Sequence, residues 1–181
     1  MKINMNGNDN DSNYRYKMPS FEVMIAGRGN GIYTIFNNVD AISKALNHPS
    51  EIIYKYIAAV SGSNYIPIRN TITGSHSSEE CNKLIIEYNK YLVYCPKCNI
   101  PETIPKLVGH KKNPDLILCC SACKNESPVI VANKTIDKGI DIIIKHLKNN
   151  PEWKVSESMV KQEDNNDNPM QSQEMTPFDE I

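Results

Sequence analysis

Apolar positions recur through most of the chain between residues 21 and 147, and their period changes from segment to segment. FEVMIA (21–26) and IYTIF (32–36) carry the β-branched and aromatic residues of two strands. Between them, Gly27-Arg28-Gly29-Asn30-Gly31 predicts a hairpin loop that needs positive φ. A phosphate cradle fits this loop poorly, because no Gly-Lys-Ser/Thr follows and the next segment reads as a strand. Val39, Ile42 and Leu46 then share one face of a short helix that Asn38 can cap. Ile52, Ile53, Tyr56, Ile57 and Val60 share a face of a second helix opened by Ser50. YIPIRNTITG (65–74) predicts a short hairpin around Arg69-Asn70, with Pro67 confining its strand to an edge. Ser77 and Glu80 form a capping box for a helix that ends near Tyr91 and buries Cys81, Leu84, Ile85, Tyr88 and Leu92. PVIVA (128–132) predicts a strand. Ile136, Ile140, Ile143, Ile144 and Leu147 stripe a last helix, which Pro151 stops.

The two ends break this patterning. Residues 1–13 hold five Asn, two Asp, a Ser and a Gly, which offers little apolar surface against the entropy of ordering. A flexible arm is therefore expected over residues 1–19, ending in Tyr14-Arg15-Tyr16-Lys17-Met18-Pro19. From Lys154 onward the chain is Asn, Gln, Ser and acid, and a disordered tail is expected over 154–181. Together these segments predict an α+β fold of β-hairpins and helices. An arm (1–19) leads to an α/β domain (20–92), an appended four-cysteine ribbon (93–132), a helix packed back on the domain (133–153) and the acidic tail.

Charge sharpens the division. The formal net charge of the 181 residues is -1, but 154–181 holds two lysines against seven carboxylates, a net -5. Residues 14–153 carry +5. This mildly basic core suits an acidic partner or RNA without forming a polybasic stripe. No apolar run approaches 18 residues and the leader has no secretory core, so a soluble, cytoplasmic protein is expected.

Six cysteines supply the candidate chemistry. Cys95-Pro-Lys-Cys98 and Cys120-Ser-Ala-Cys123 are two C-x2-C pairs separated by 21 residues. Each pair can turn both sulfurs toward one tetrahedral ion, and two such turns on neighbouring hairpins make a zinc ribbon. Disulfides suit an oxidising compartment, and a thioredoxin-like site needs one such pair beside a βαβ unit, not two. Four thiolates leave no open position for water, so structural zinc rather than metal catalysis is expected. Its formal -2 brings the basic core nearer +3. Cys81 belongs to an apolar helix stripe, and Cys119 reads as a strand residue, since it would give only a C-x3-C turn. His48, His76, His110 and His146 are poor ligand candidates once four thiolates are assigned.

The motifs YRYKMP (14–19), GRGNGI (27–32), VDAISKALNHP (39–49), YKY (54–56), GSH (74–76), CNKL (81–84), YCPKCNIPET (94–103) and CSAC (120–123) occur in that order. Their series resembles the N-terminal region of the eukaryotic translation initiation factor 5 family, from about residue 14 to 150. The related beta subunit of initiation factor 2 shares the helix-and-ribbon part but is not known for the YRYKMP stretch. The resemblance implies a GTPase-activating protein for initiation factor 2, acting in the scanning small-subunit preinitiation complex with initiator tRNA and mRNA, and not itself a hydrolase. By the family pattern, Arg15 is an arginine finger supplied in trans to the gamma subunit, with Lys55 auxiliary and Gly31 linked to start-site stringency. Tyr33 stands where the family commonly has lysine. The family continues into a helical-repeat domain that recruits the beta subunit of factor 2. A monomer is expected. The rival expectations are a non-activating binding module with Arg15 idle, and a beta-type scaffold subunit.

Overall fold

The computed structural model describes residues 1–8 and 10–153. The predicted Gly-rich hairpin forms as β3 (Val23–Ala26) against β4 (Tyr33–Phe36), with Ala26 opposite Tyr33. Gly27 takes φ +90°, and a Cβ there would meet the Gly31 carbonyl oxygen at 2.1 Å, so only glycine fits. Gly31 itself has open space around it. β5 (Tyr65–Ile66) and β6 (Thr71–Thr73) complete an antiparallel sheet in the order β3-β4-β6-β5. Pro67 follows the edge strand, as its missing N–H requires, and Asn70 makes the turn at φ 49°.

Helices α1 (Val39–Leu46), α2 (Ser50–Val60), α3 (Ser78–Leu92) and α4 (Lys134–Asn149) turn the expected stripes to the core, with Val60, Leu84, Ile140 and Ile144 only half-buried. Ile42, Leu46, Ile53, Ile57, Leu92 and Ile143 are fully enclosed. Cys81 is one of these small core residues. α4 approaches closely at Gly139, where a Cβ would lie 2.7 Å from Leu92 Cδ1 and 3.2 Å from Tyr56 Cε2.

Local caps depart from expectation in instructive ways. Asn38 sits before α1, but its amide joins the chain entrance instead, accepting from Glu22 N and donating to the Ser20 carbonyl. α2 begins at Ser50, with Pro49 in the N-cap position and its carbonyl accepting from Ile52 N at 3.0 Å. Ser77 Oγ does accept from Glu80 N at 3.1 Å, while the Glu80 carboxylate turns to His76. Only half of the expected capping box forms.

Two larger expectations are corrected. The leader is not a free arm: β1 (Lys2–Asn4) pairs antiparallel with β2 (Lys17–Pro19), Ile3 opposite Met18. Ile3, Met5 and Met18 are buried, so three apolar side chains reach the core despite the polar composition. The asparagines satisfy the intervening backbone. Asn4 Nδ2 donates to the carbonyls of Asn8 and Asp11, and Asn6 and Asp11 accept from amides two residues on. The second correction concerns PVIVA. The strand there is β9 (Glu126–Pro128), pairing with β8 (Asn113–Cys120), while Ile130 and Val131 are exposed. The last bond to the ribbon is Val129 N donating to the Leu116 carbonyl at 3.1 Å, and Asn133 then caps α4, accepting from Ile136 N at 2.9 Å. β7 (Thr103–His110) and β9 flank β8 in the ribbon sheet. The expected acidic tail lies outside the described residues.

Candidate functional site

The two C-x2-C segments fold into matching turns. Asn99 N bonds to the Cys95 carbonyl at 2.9 Å and Lys124 N to the Cys120 carbonyl at 3.0 Å. Asn99 and Lys124, each just after the second cysteine of its pair, both take positive φ. Cys95 N and Cys120 N complete the match by donating to the carbonyls of Ile100 and Asn125. These turns bring the four sulfurs within 4.8 Å of one another. Cys95 and Cys123 Sγ are 3.7 Å apart, and Cys98 and Cys120 Sγ 3.6 Å. A disulfide needs about 2.05 Å, whereas the edge of a tetrahedron with about 2.3 Å zinc–sulfur bonds is about 3.8 Å. The arrangement is compatible with a zinc site. Burial opposes ionisation of Cys95, but the backbone N–H groups of Cys98 and Lys97, aided by neighbouring thiols, outweigh it and pull its pKa down to about 7. Cys119 points away from the cluster, its thiol 3.5 Å from Glu126 Oε1.

Arg15 lies in the loop joining β1 to β2 and is exposed. Its guanidinium rests on the Tyr16 ring, with Cζ 5.5 Å from the centroid. Among the described residues it has no salt bridge and no hydrogen-bond partner. The tyrosines on either side are held. Tyr14 and Tyr94 hydroxyls lie 2.7 Å apart, and the Tyr16 hydroxyl donates to Glu102 Oε1 at 2.9 Å. The Tyr14 and Tyr16 rings meet edge-on at 6.2 Å. The Glu102 bond, followed by partial burial and the Glu102 charge, raises the Tyr16 pKa and keeps its proton on the donor.

The fold thus brings Arg15 beside the cysteine ribbon, since Tyr94 immediately precedes Cys95. Lys55 is elsewhere, on α2, where it pairs with Glu51 at 2.5 Å and none of its ion pairs reaches Arg15 or the cysteines. Glu51 also lies 3.6 Å from His146 Nδ1 on α4. Tyr33 is half-buried in β4. Tyr94 and Glu102 are not legible from the sequence as partners of the Arg15 loop. Both bonds span some 80 residues or more of sequence, and no local pattern marks them.

Comparison with known proteins follows the same outline. A family described as a domain found in initiation factors 2B and 5 matches residues 6–126. The chain is 34% identical over 138 residues to eukaryotic translation initiation factor 5 of Saccharomyces cerevisiae, covering 74% of this chain and 33% of that protein. With the Mus musculus factor 5 it shares 33% over 127 residues, 68% of this chain and 29% of the relative. The Phaseolus vulgaris factor 5 is 34% identical over 132 residues, 71% and 29% respectively. The chain therefore spans about a third of the length of these relatives. A match over residues 6–126 takes in both the Arg15 loop and the four cysteines, and the chain belongs to this domain family of initiation factors, as a region like the N-terminal part of initiation factor 5.

Proposed function

We propose that this protein is a translation initiation factor that activates GTP hydrolysis by initiation factor 2 within the small-subunit preinitiation complex, coupling start-codon recognition to hydrolysis. One observation carries the reading: an exposed arginine, without a salt bridge or hydrogen-bond partner among the described residues, is presented on a loop whose flanking side chains are both fixed. Phosphoryl transfer is catalysed mainly by positioning and by charge stabilisation around the γ-phosphate. A guanidinium keeps its charge and offers a planar fork of donors. Supplied in trans, such a group is worth about 10³–10⁵ in rate. Arg15 enters the gamma-subunit GTP site, and Lys55 serves as an auxiliary cation there once it parts from Glu51, its partner on α2. The protein is an activator and not itself a hydrolase.

Cys95, Cys98, Cys120 and Cys123 hold a structural Zn²⁺, which supplies a rigid cross-link between the two turns. The partners are initiation factor 2, through its gamma and beta subunits, and the small ribosomal subunit carrying initiator tRNA and mRNA. The protein works in the cytoplasm as a monomer. Single-turnover hydrolysis of GTP by factor 2 on small subunits, with and without this chain, tests the reading. Catalytic, sub-stoichiometric stimulation is expected. Stable stoichiometric association with the gamma subunit and no stimulation would point instead to a scaffold.

A further inference from the structure

Arg15 is held in place by residues that lie some 80 positions away in sequence, and both belong to the entrance of the cysteine ribbon. Tyr94 closes α3: its amide donates to the Asn89 carbonyl at 2.9 Å, and its side chain is buried. The next residue is Cys95. Glu102 is anchored on the other side of the ribbon, its carbonyl accepting from Ser121 N at 2.8 Å. Ser121 follows Cys120, so each anchor is tied directly to one of the two cysteine turns. Thr103 Oγ1, donating to the Val93 carbonyl at 2.8 Å, links the anchors to each other.

Other contacts shape the loop: Asn4 Nδ2 donates to the Asn8 and Asp11 carbonyls, Lys17 Nζ donates to the Ser12 carbonyl at 2.7 Å, and the Tyr16 ring is partly buried against the core. Met5 N donates to the Tyr16 carbonyl at 3.1 Å and Tyr14 N to the Asp11 carbonyl at 3.3 Å, but these bonds define the loop, not the direction of its side chains. The Tyr16 ring is also the surface on which the guanidinium lies. Rotating that ring moves the cation.

We infer that Tyr94 and Glu102 are positioning residues for Arg15, which clamp the hydroxyls of Tyr14 and Tyr16 and make presentation of the guanidinium depend on an intact metal ribbon. The inference rests on the arginine-finger reading given above. It assigns the ribbon a task beyond stability: the two cysteine turns set where the charge stands.

Amide hydrogen exchange on the whole chain tests the clamp without any GTPase. Tyr94→Phe and Glu102→Ala each delete one hydroxyl contact, while Glu102→Gln keeps an oxygen that can accept. Exchange at residues 13–17 is expected to rise about tenfold in the first two variants, at unchanged zinc content, and to stay near wild type in Glu102→Gln. Stripping zinc with a chelator is expected to raise exchange at 13–17 together with that at 95–123. In single-turnover hydrolysis at saturation, Tyr94→Phe and Glu102→Ala are expected to lose about tenfold in rate with unchanged half-saturation, and Glu102→Gln to recover most of it. Unchanged exchange in both deletions overturns the inference. So does wild-type hydrolysis by both deletions while Arg15→Ala is inactive, an outcome that leaves the finger standing. Wild-type hydrolysis by Arg15→Ala removes the finger reading, and the positioning role falls with it.

Discussion

Replacing Met5 by alanine separates a folded leader from a free one. Met5 is 2% exposed, its amide holds the Tyr16 carbonyl, and its own carbonyl accepts from Asn89 Nδ2 at 3.3 Å. Truncating a buried methionine costs about 2–5 kcal/mol, from lost transfer energy and the cavity left behind. A site beside a two-stranded sheet can partly collapse, which favours the lower half of that range, about 2–3 kcal/mol. With a urea dependence of about 2 kcal/mol per molar for a domain of this size, the unfolding midpoint should fall by about 1–1.5 M. Met1→Ala is the matched control, since Met1 is 90% exposed. Its midpoint should move by no more than about 0.25 M, the equivalent of about 0.5 kcal/mol. If Met5→Ala shifts no further than Met1→Ala, β1 is not part of the folded core and the leader is a loose arm after all.

Two further outcomes are expected. Cys120→Ser should release the metal and loosen residues 95–128, whereas Cys119→Ser should keep one zinc per chain and change stability by no more than about 0.5 kcal/mol; elemental analysis with the reverse result would move the ligand set. Burial holds the His48 pKa down to about 3, so between there and its ordinary 6.5 the unfolded chain binds the extra proton. That contribution is complete above pH 6.5 and is lost as pH falls, by about 2 kcal/mol at pH 5. Urea midpoints at pH 7 and pH 5 should show this loss in wild type and a smaller one in His48→Gln, and equal losses would contradict it.

Much of the fold is legible in the sequence because local chemistry and tertiary packing agree. Gly27 is required where the hairpin turns, the stripes of α1 to α4 are the buried faces, and the C-x2-C spacing carries its own geometry. The leader departs from expectation because composition counts polar residues without asking what they bond. Ile3, Met5 and Met18 suffice to dock it once Asn4 satisfies the turn. Expecting a strand through Ala132 fails because an apolar run does not itself supply a partner strand: pairing with β8 ends at Pro128, and Ile130 and Val131 stand exposed. The cysteine site is visible in the sequence, and so is Arg15 as a candidate. Its attachment to Tyr94 and Glu102 is not, because contacts across 80 and 86 residues leave no periodic trace.

The central claim is that Arg15 stabilises charge in the transition state of a partner's GTP hydrolysis. Single-turnover hydrolysis by initiation factor 2 on small subunits, driven by saturating Arg15→Ala and Arg15→Lys, measures that step alone. The account predicts that both variants bind and fold as wild type yet lose most of the stimulated rate, because neither methyl nor ammonium reproduces the planar fork. Hydrolysis at the wild-type rate, or full recovery on raising the concentration of Arg15→Ala, would contradict it.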